Sequence, residues 1–395
     1  MRGRPLFVAF LTIAVDLIGF AMVVPLLPLY AKHFGASDFA AGGLFAAYSL
    51  MQFFFAPLWG RLSDRIGRRP VLLVSIAGNV ASLVVMGLAH DYTWLLASRF
   101  VGGMFAANIG VANAYVADVT PPSERARGMG LVGAAFGIGF VLGPFLGGEL
   151  SVFGYAAPAF VAAGLAGVNL VGALFFLPES LPPDRRTAAA ASPFVERWRL
   201  LREVEGIAPQ LWVVFLQLFA FSMAEIAFVL FAKARLGFDV REAGRVFGYT
   251  GIVMVLVQGV LIGRATRRHG ERRLAVFGLM LVGVGLVALP LSEHGGWLLL
   301  LGLMTFMAVG QGLIQPSLSS LLSQAAPAHM QGVTLGLARS VGALARAAGP
   351  PTAGALFAHS GHSAPFLWGA AITGVAALVA VAALPQRAAA PHTLV

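Results

Sequence analysis

Residues 60–69 read Gly60-Arg61-Leu62-Ser63-Asp64-Arg65-Ile66-Gly67-Arg68-Arg69. The stretch returns as Gly263-Arg264-Ala265-Thr266-Arg267-Arg268-His269-Gly270, followed by Glu271-Arg272-Arg273. Two other pairs repeat at nearly the same distance: Tyr30-Ala31-Lys32 as Phe231-Ala232-Lys233, and Gly143-Pro144 as Gly349-Pro350. Offsets of about 203, 201 and 206 residues mark a duplicated half-chain. Each copy of the basic stretch lies between long apolar runs, so it reads as a polar turn at one membrane surface.

Composition supports a membrane setting. Of 395 residues 58% are hydrophobic and only 11% charged, with a mean hydropathy of +0.83. A soluble domain carries roughly 25% charged residues, so this chain cannot cover a water-facing surface. A helix crossing about 30 Å of hydrocarbon needs roughly 20 apolar residues, which leaves room for about a dozen crossings. The apolar runs predict spans near 6–31, 40–60, 70–90, 92–118, 125–150 and 156–178. A second set is predicted near 208–233, 243–265, 273–292, 296–323, 330–358 and 363–384. Membrane β-barrels alternate in short strands, whereas these runs are continuous. The expected fold is therefore an all-α integral membrane protein, with 12 transmembrane helices in two pseudo-symmetric six-helix bundles. The bundles are residues 1–180 and 208–395, joined by a polar cytoplasmic linker at 181–207. Arg2 and Arg4 precede the first run, but that run is too long for a secretory leader and no small-residue cleavage site follows. It is expected to stay attached as the first helix.

Most of the 27 basic residues fall in the segments on the side of residues 60–69, which sets both termini in the cytoplasm and accounts for the net charge of +10 without nucleic acid. Cysteine is absent, which removes disulfide, thiolate-metal and cysteine-nucleophile chemistry. His33, His90, His269, His294, His329, His359, His362 and His392 show no metal-ligand spacing. A Gly-x4-Gly-Lys phosphate loop is missing, which argues against ATP as a driver. Neither an enzyme nor a resident cofactor is expected.

Charged residues inside spans are costly and point to function. Asp16 lies about 15 Å along the first helix from residue 6, near the midplane, and is the first choice for proton coupling. Glu225 in the seventh span is a second candidate, nearer the outer side. Three arginines also fall within spans: Arg99, Arg339 and Arg346. Arginine keeps its proton, so each needs an acid, carbonyls or a hydrated cavity. Gln52, Asn108, Asn113, Gln217, Gln258, Gln311 and Gln315 are candidates for the cavity lining, and each serves equally well as a hydrogen bond between helices. Duplicated six-helix halves with a site between them are a transporter architecture.

At 60–69 the sequence resembles the major facilitator superfamily. The resemblance implies a cytoplasmic gate: Asp64 helps to latch it with Arg65, Arg68 and Arg69, Asp118 pairs with the loop arginines, and Gly60 and Gly67 supply the turns. The fifth span carries Gly130-x8-Gly139-x3-Gly143-Pro144-x2-Gly147-Gly148, small residues that let helices approach closely. This spacing also looks like the antiporter motif of the superfamily's drug and proton exchangers. Arg99-Phe100-Val101-Gly102-Gly103 is similar to the fourth-span motif that the superfamily links to proton transfer. Ala47-Tyr48-Ser49-Leu50-Met51-Gln52, Ala114-Tyr115-Val116-Ala117-Asp118 and Glu124-Arg125-Ala126-Arg127-Gly128 look like the tetracycline-efflux branch of the twelve-helix antiporters. The span at 277–283 lacks the acid that the tetracycline exporters carry there.

The expectation is a proton-coupled secondary transporter that exports small amphipathic compounds by alternating access, as in multidrug or antibiotic efflux. Asp16 would carry the proton, with Arg99 and Glu225 adjusting its release. The alternative is a proton-coupled importer of a small metabolite or organic anion, which Arg339 and Arg346 favour. The expected partners are a small-molecule substrate, protons and the lipid bilayer, with the chain a monomer in the inner membrane.

Overall fold

The structure is a computed structural model that describes residues 3–106, 108–120, 125–186, 206–326 and 331–384. Every regular element among the described residues is helical. The central part of the expected linker, 187–205, and Glu124 lie outside them.

Among the described residues, ten segments are long and apolar enough to cross a membrane. The ninth, Glu271–Ala325, is 55 residues long and holds two helices, Glu271–Ala288 and Ser292–Ala325, joined by a tight turn at Leu289–Leu291. The 30-residue helix Gln331–Ser360 is not among the ten, since Arg339, Arg346 and Pro350-Pro351 lower its hydropathy. Large apolar side chains such as Phe153, Val168, Phe175 and Leu298 are more than 70% exposed, as lipid-facing residues should be.

Local chemistry sets the helix boundaries. The first expected span divides into Gly3–Val23 and Leu27–His33 around a turn at 24–26, where Pro25 supplies no N–H. Ser37 caps Asp38–Ile66 by accepting from the Ala40 N–H, and Asp91 caps Tyr92–Phe105 by accepting from the Trp94 N–H. The fourth span stops at Phe105 and resumes as Asn108–Val119. The repeated loop repeats in backbone too. Gly67 at φ 111° and Gly270 at φ 77° each stand one residue before a helix, at Arg68 and Glu271, in a region that L side chains rarely enter.

The chain forms two compact units. One holds Met1–Ala191 with Glu225–Gly251 and Arg346–His362; the other holds Ser192–Ala224, Ile252–Ala345 and Ser363–Val395. In the first, Gly3–Val23 packs chiefly on Arg125–Leu150 and Ala156–Phe176, and Arg68–Gly87 packs on Ala156–Phe176 and Tyr92–Phe105. In the second, Glu271–Ala288 is clasped by Ser292–Ala325 and Ala364–Ala383.

The glycine pattern of Arg125–Leu150 works on two faces within the first unit. Gly139, Gly143 and Gly147, four residues apart, lie against Leu17, Ala21 and the Met22 carbonyl of the first helix. On another side Gly148 meets the Val240 and Arg241 carbonyls and Gly244, while Gly244 meets the Pro144 carbonyl. Gly251 sits on the Phe140 carbonyl. Backbones approach closely here because no Cβ intervenes.

Replacing Gly139 by leucine forces a side chain into Leu17 and should lower stability by about 1–3 kcal/mol. The control Gly164→Ala meets nothing within 4 Å and should leave the thermal midpoint of the detergent-solubilised protein unchanged. Equal midpoints for the two variants would contradict the packing assignment.

Candidate functional site

Two polar assemblies of the first unit hold most of the expected site residues. The first lies at the end of the helices that carries residues 60–69. Gly67 offers no side chain to cap the helix Arg68–Gly87, and Glu179 does so from beyond the end of Ala156–Phe176. Its Oε1 accepts from the backbone N–H of Arg68 (2.9 Å), Ser180 (2.9 Å) and Leu181 (3.0 Å), and its Oε2 accepts from the Arg69 N–H (3.3 Å). A carboxylate at a helix N-terminus also meets the positive end of the helix dipole. A Cβ on residue 67 would run into this carboxylate, so Gly67 is required twice over.

Arg68 is the centre of the loop. Its Nη1 reaches Asp64 at 2.6 Å and the Ser63 hydroxyl at 2.6 Å, and its Nε reaches Asp118 at 3.2 Å. Asp118 also accepts from the Ser180 hydroxyl at 3.1 Å. Arg69 donates from Nη2 to the Leu174 carbonyl at 2.6 Å. Arg65 is exposed, and Gly60 has open space beside it.

The second assembly is within the spans. Asp16 is 8% exposed and accepts from Asn79 Nδ2 at 3.4 Å. Arg99 is 3% exposed, and among the described residues its side-chain donors reach the Ser98 hydroxyl and the Met86 sulfur, each at 3.4 Å. Its guanidinium also stands 5.9 Å from the Tyr48 ring centroid. Arg346 Nη2 donates to Gln52 Oε1 at 3.5 Å, and the charges of Arg346 and Glu225 act on each other. Gln52 donates in turn to the Ala106 carbonyl. Asp16, Gln52, Arg99, Glu225 and Arg346, scattered over five sequence segments, therefore belong to one compact unit.

Other expected site residues go elsewhere. Gln217 and Gln311 bond each other at 2.8 Å inside the second unit, a link between helices. Gln258 is half-buried on a π-helical turn, Val257–Leu261, and Gln315 and Arg339 are exposed. Asn113 is half-buried, and neither polar atom of its side chain finds a partner among the described residues. The side chain of Asn108 lies outside the described ones.

Sequence reasoning missed Glu179 and Gln210, and read Glu149 only as an interfacial acid at the outer end of the fifth span. Glu179 is signalled by an acid directly after a span, opposite a helix start with only glycine to cap it. Glu149, at the far end of Arg125–Leu150, accepts from Arg241 Nε at 2.8 Å and Arg245 Nε at 2.7 Å. It ties that helix to Val240–Leu256, whose start is fixed by a capping box between Asp239 and Glu242. Gln210, 1% exposed in the second unit, has no side-chain hydrogen-bond partner among the described residues.

Comparison with known proteins follows the same lines. The Major Facilitator Superfamily profile matches residues 9–350 and again 213–394. The chain belongs to the Major Facilitator Superfamily. It is 34% identical over 354 residues to the tetracycline resistance protein, class C, of Escherichia coli, covering 88% of each chain. It is 31% identical to multidrug resistance protein 2 of Bacillus subtilis (strain 168), covering 92% of this chain and 89% of that one. The crystal structure of the human organic anion transporter MFSD10 (TETRAN) is similar at a TM-score of 0.75 and 29% identity, over 96% of this chain and 99% of that one. The protein is a transporter of that superfamily, with the all-helical fold of its members.

Two substitutions separate the helix cap at one surface from the ion pairs at the other. Glu179→Gln weakens a cap that serves two helix amides and should cost about 1 kcal/mol, seen as a lower thermal midpoint. Glu149→Gln breaks ion pairs whose arginines are 42% and 47% exposed, and should leave the midpoint near that of the parent. The reverse order of the two effects would contradict this account.

Proposed function

We propose that the chain is a proton-coupled exporter of small amphipathic compounds, working by alternating access of two six-helix halves, 1–180 and 208–395. The observation that carries the reading is the gathering of Asp16, Arg99, Gln52, Glu225 and Arg346 in one unit of an otherwise apolar protein. An acid with 8% exposure inside a span is expensive when ionised, so it takes up and releases a proton at modest cost. Asp16 carries the coupled proton; Arg99, Glu225 and Arg346 set the balance of charge around it. Each charge moved across the membrane draws roughly 2.3 kcal/mol per 100 mV, enough for one proton to drive appreciable accumulation.

Two ends of the helices act as latches in this reading. The Asp64–Arg68–Asp118 set, braced by Glu179, serves as the cytoplasmic gate. Glu149 with Arg241 and Arg245, above the close contact of Gly148 and Gly244, serves as the opposite one. Ion pairs with at least one partner open to solvent, such as Asp64, Arg241 and Arg245, suit a latch because they break at modest cost. The similarity to tetracycline and multidrug resistance proteins supports export. The protein works as a monomer in the inner membrane, with both termini in the cytoplasm.

A second reading has one observation in its favour. Arg346 is held by a neutral Gln52, and a relative of known structure is an organic anion transporter, so a proton-coupled carrier of organic anions fits the same cluster.

Proteoliposomes with an imposed pH gradient separate the two. Tetracycline, tetraphenylphosphonium and benzoate are added in turn to the parent and to Asp16→Asn. Export predicts that a lipophilic drug moves against protons in the parent, with at least a tenfold loss in Asp16→Asn. Movement of benzoate alone, together with protons and independent of Asp16, would sink the exporter reading.

A further inference from the structure

The fourth span is broken beside the charged cluster, and another helix closes the break. Tyr92–Phe105 ends and Asn108–Val119 begins, so the last carbonyls of the first piece lose the amides that a continuous helix would supply. The Gly103 carbonyl takes the Ala106 N–H at 3.3 Å, a tighter turn. The Met104 carbonyl accepts from Trp59 Nε1 at 2.6 Å, and the Ala106 carbonyl accepts from Gln52 Nε2 at 3.4 Å. Gln52 and Trp59 are seven residues apart on Asp38–Ile66, two turns along one face. The Trp59 ring also lies 5.6 Å from that of Phe105, which fills the place that a Cβ on Gly78 would take. Gly78 directly precedes Asn79, the donor to Asp16.

The two caps differ in one respect. An indole has a single donor, and Trp59 spends it on Met104. A carboxamide has donors and an acceptor, and Gln52 Oε1 takes Arg346 Nη2 at 3.5 Å. Its orientation follows from these neighbours: turned over, it would face a guanidinium with an amide donor and a carbonyl with an oxygen. One side chain therefore holds Arg346 of Gln331–Ser360 at one end and the break in the fourth span at the other. Arg99 rides on the half-helix that ends at this break, seven residues before Ala106.

We propose that Gln52 is a positioning residue for transport: it is the tie through which the position of Arg346 is passed to the broken fourth span and so to Arg99, with Trp59 the fixed half of the same cap. An anion or an acid that draws Arg346 off Gln52 releases one end of the carboxamide, and the Ala106 end loosens with it. The inference rests on the reading of this cluster as the transport site given above, and it adds the side chain that joins Arg346 to the helix of Arg99 by hydrogen bonds.

The test needs no transported compound. Hydrogen–deuterium exchange of the full-length protein in nanodiscs is followed in peptides covering residues 100–112 and 340–352. Trp59→Phe keeps an aromatic ring and removes the N–H, so it should speed exchange about fivefold in 100–112 alone, the loss of one hydrogen bond. Gln52→Leu should speed exchange in both regions. Gln52→Glu keeps an acceptor for Arg346 and loses the donor to Ala106, so it should speed 100–112 and slow 340–352. The deciding variant is Arg346→Leu. It should speed exchange in 100–112 when Gln52 is present and add nothing there in Gln52→Leu, a dependence that a merely structural Gln52 would not show. An effect of Arg346→Leu that is equal in both backgrounds, or absent from both, would overturn the proposal. Proton-coupled flux of tetracycline in the parent decides the transport reading separately, so each can fail alone.

Discussion

A buried arginine is the constraint on which the interior of the first unit depends. Arg99 is 3% exposed in a chain with only 11% charged residues, and it cannot shed its proton to escape the cost. Among the described residues its charge is met by a ring, a hydroxyl and a sulfur, which are polarisable or dipolar groups rather than a direct acid. The acids stand one residue further off, with Asp16 linked to Asn79 and Glu225 felt at Arg346. Direct pairing of Arg99 with an acid would instead lock that acid in its ionised form.

Close packing serves this arrangement. The first helix carries Asp16 and is held one residue away, at Leu17, by Gly139 of Arg125–Leu150. Arg125–Leu150 continues past Gly143 and Gly147 to Gly148 and Glu149, where it meets Val240–Leu256 through glycine contacts and two ion pairs. The glycines of one helix, on two of its faces, therefore connect the neighbourhood of the buried acid to the arginines at its far end. Packing of this kind has few intermediate positions, so a shift at one end is passed to the other rather than absorbed.

Much of this was legible in the sequence. Continuous apolar runs and the repeat at residues 60 and 263 pointed to a duplicated helical membrane protein, because both follow from bilayer thickness and chain chemistry alone. Asp16, Arg99, Glu225 and Arg346 stood out because ionisable groups in spans are rare. What the sequence lacked was distance along the third dimension. Gln217 and Gln311 read equally as cavity residues or as a bond between helices, and the structure shows them bonded to each other, since a polar residue in a span gives the same signal in either role. Glu179 and Glu149 were hidden for the opposite reason: acids at span ends are ordinary, and only the fold reveals that one caps a helix and the other bridges two arginines. The break of the first span at Pro25 shows the same limit, because hydropathy runs straight through a residue that the backbone cannot.

The central claim is that substrate and proton answer to the same acid. The most direct measurement is proton release on binding, followed with a pH dye in weakly buffered detergent solution as tetracycline or tetraphenylphosphonium is added to the purified protein. The account predicts about one proton released per molecule bound by the parent and none by Asp16→Asn at equal occupancy. Binding without release in the parent, or release that persists in Asp16→Asn, would contradict it.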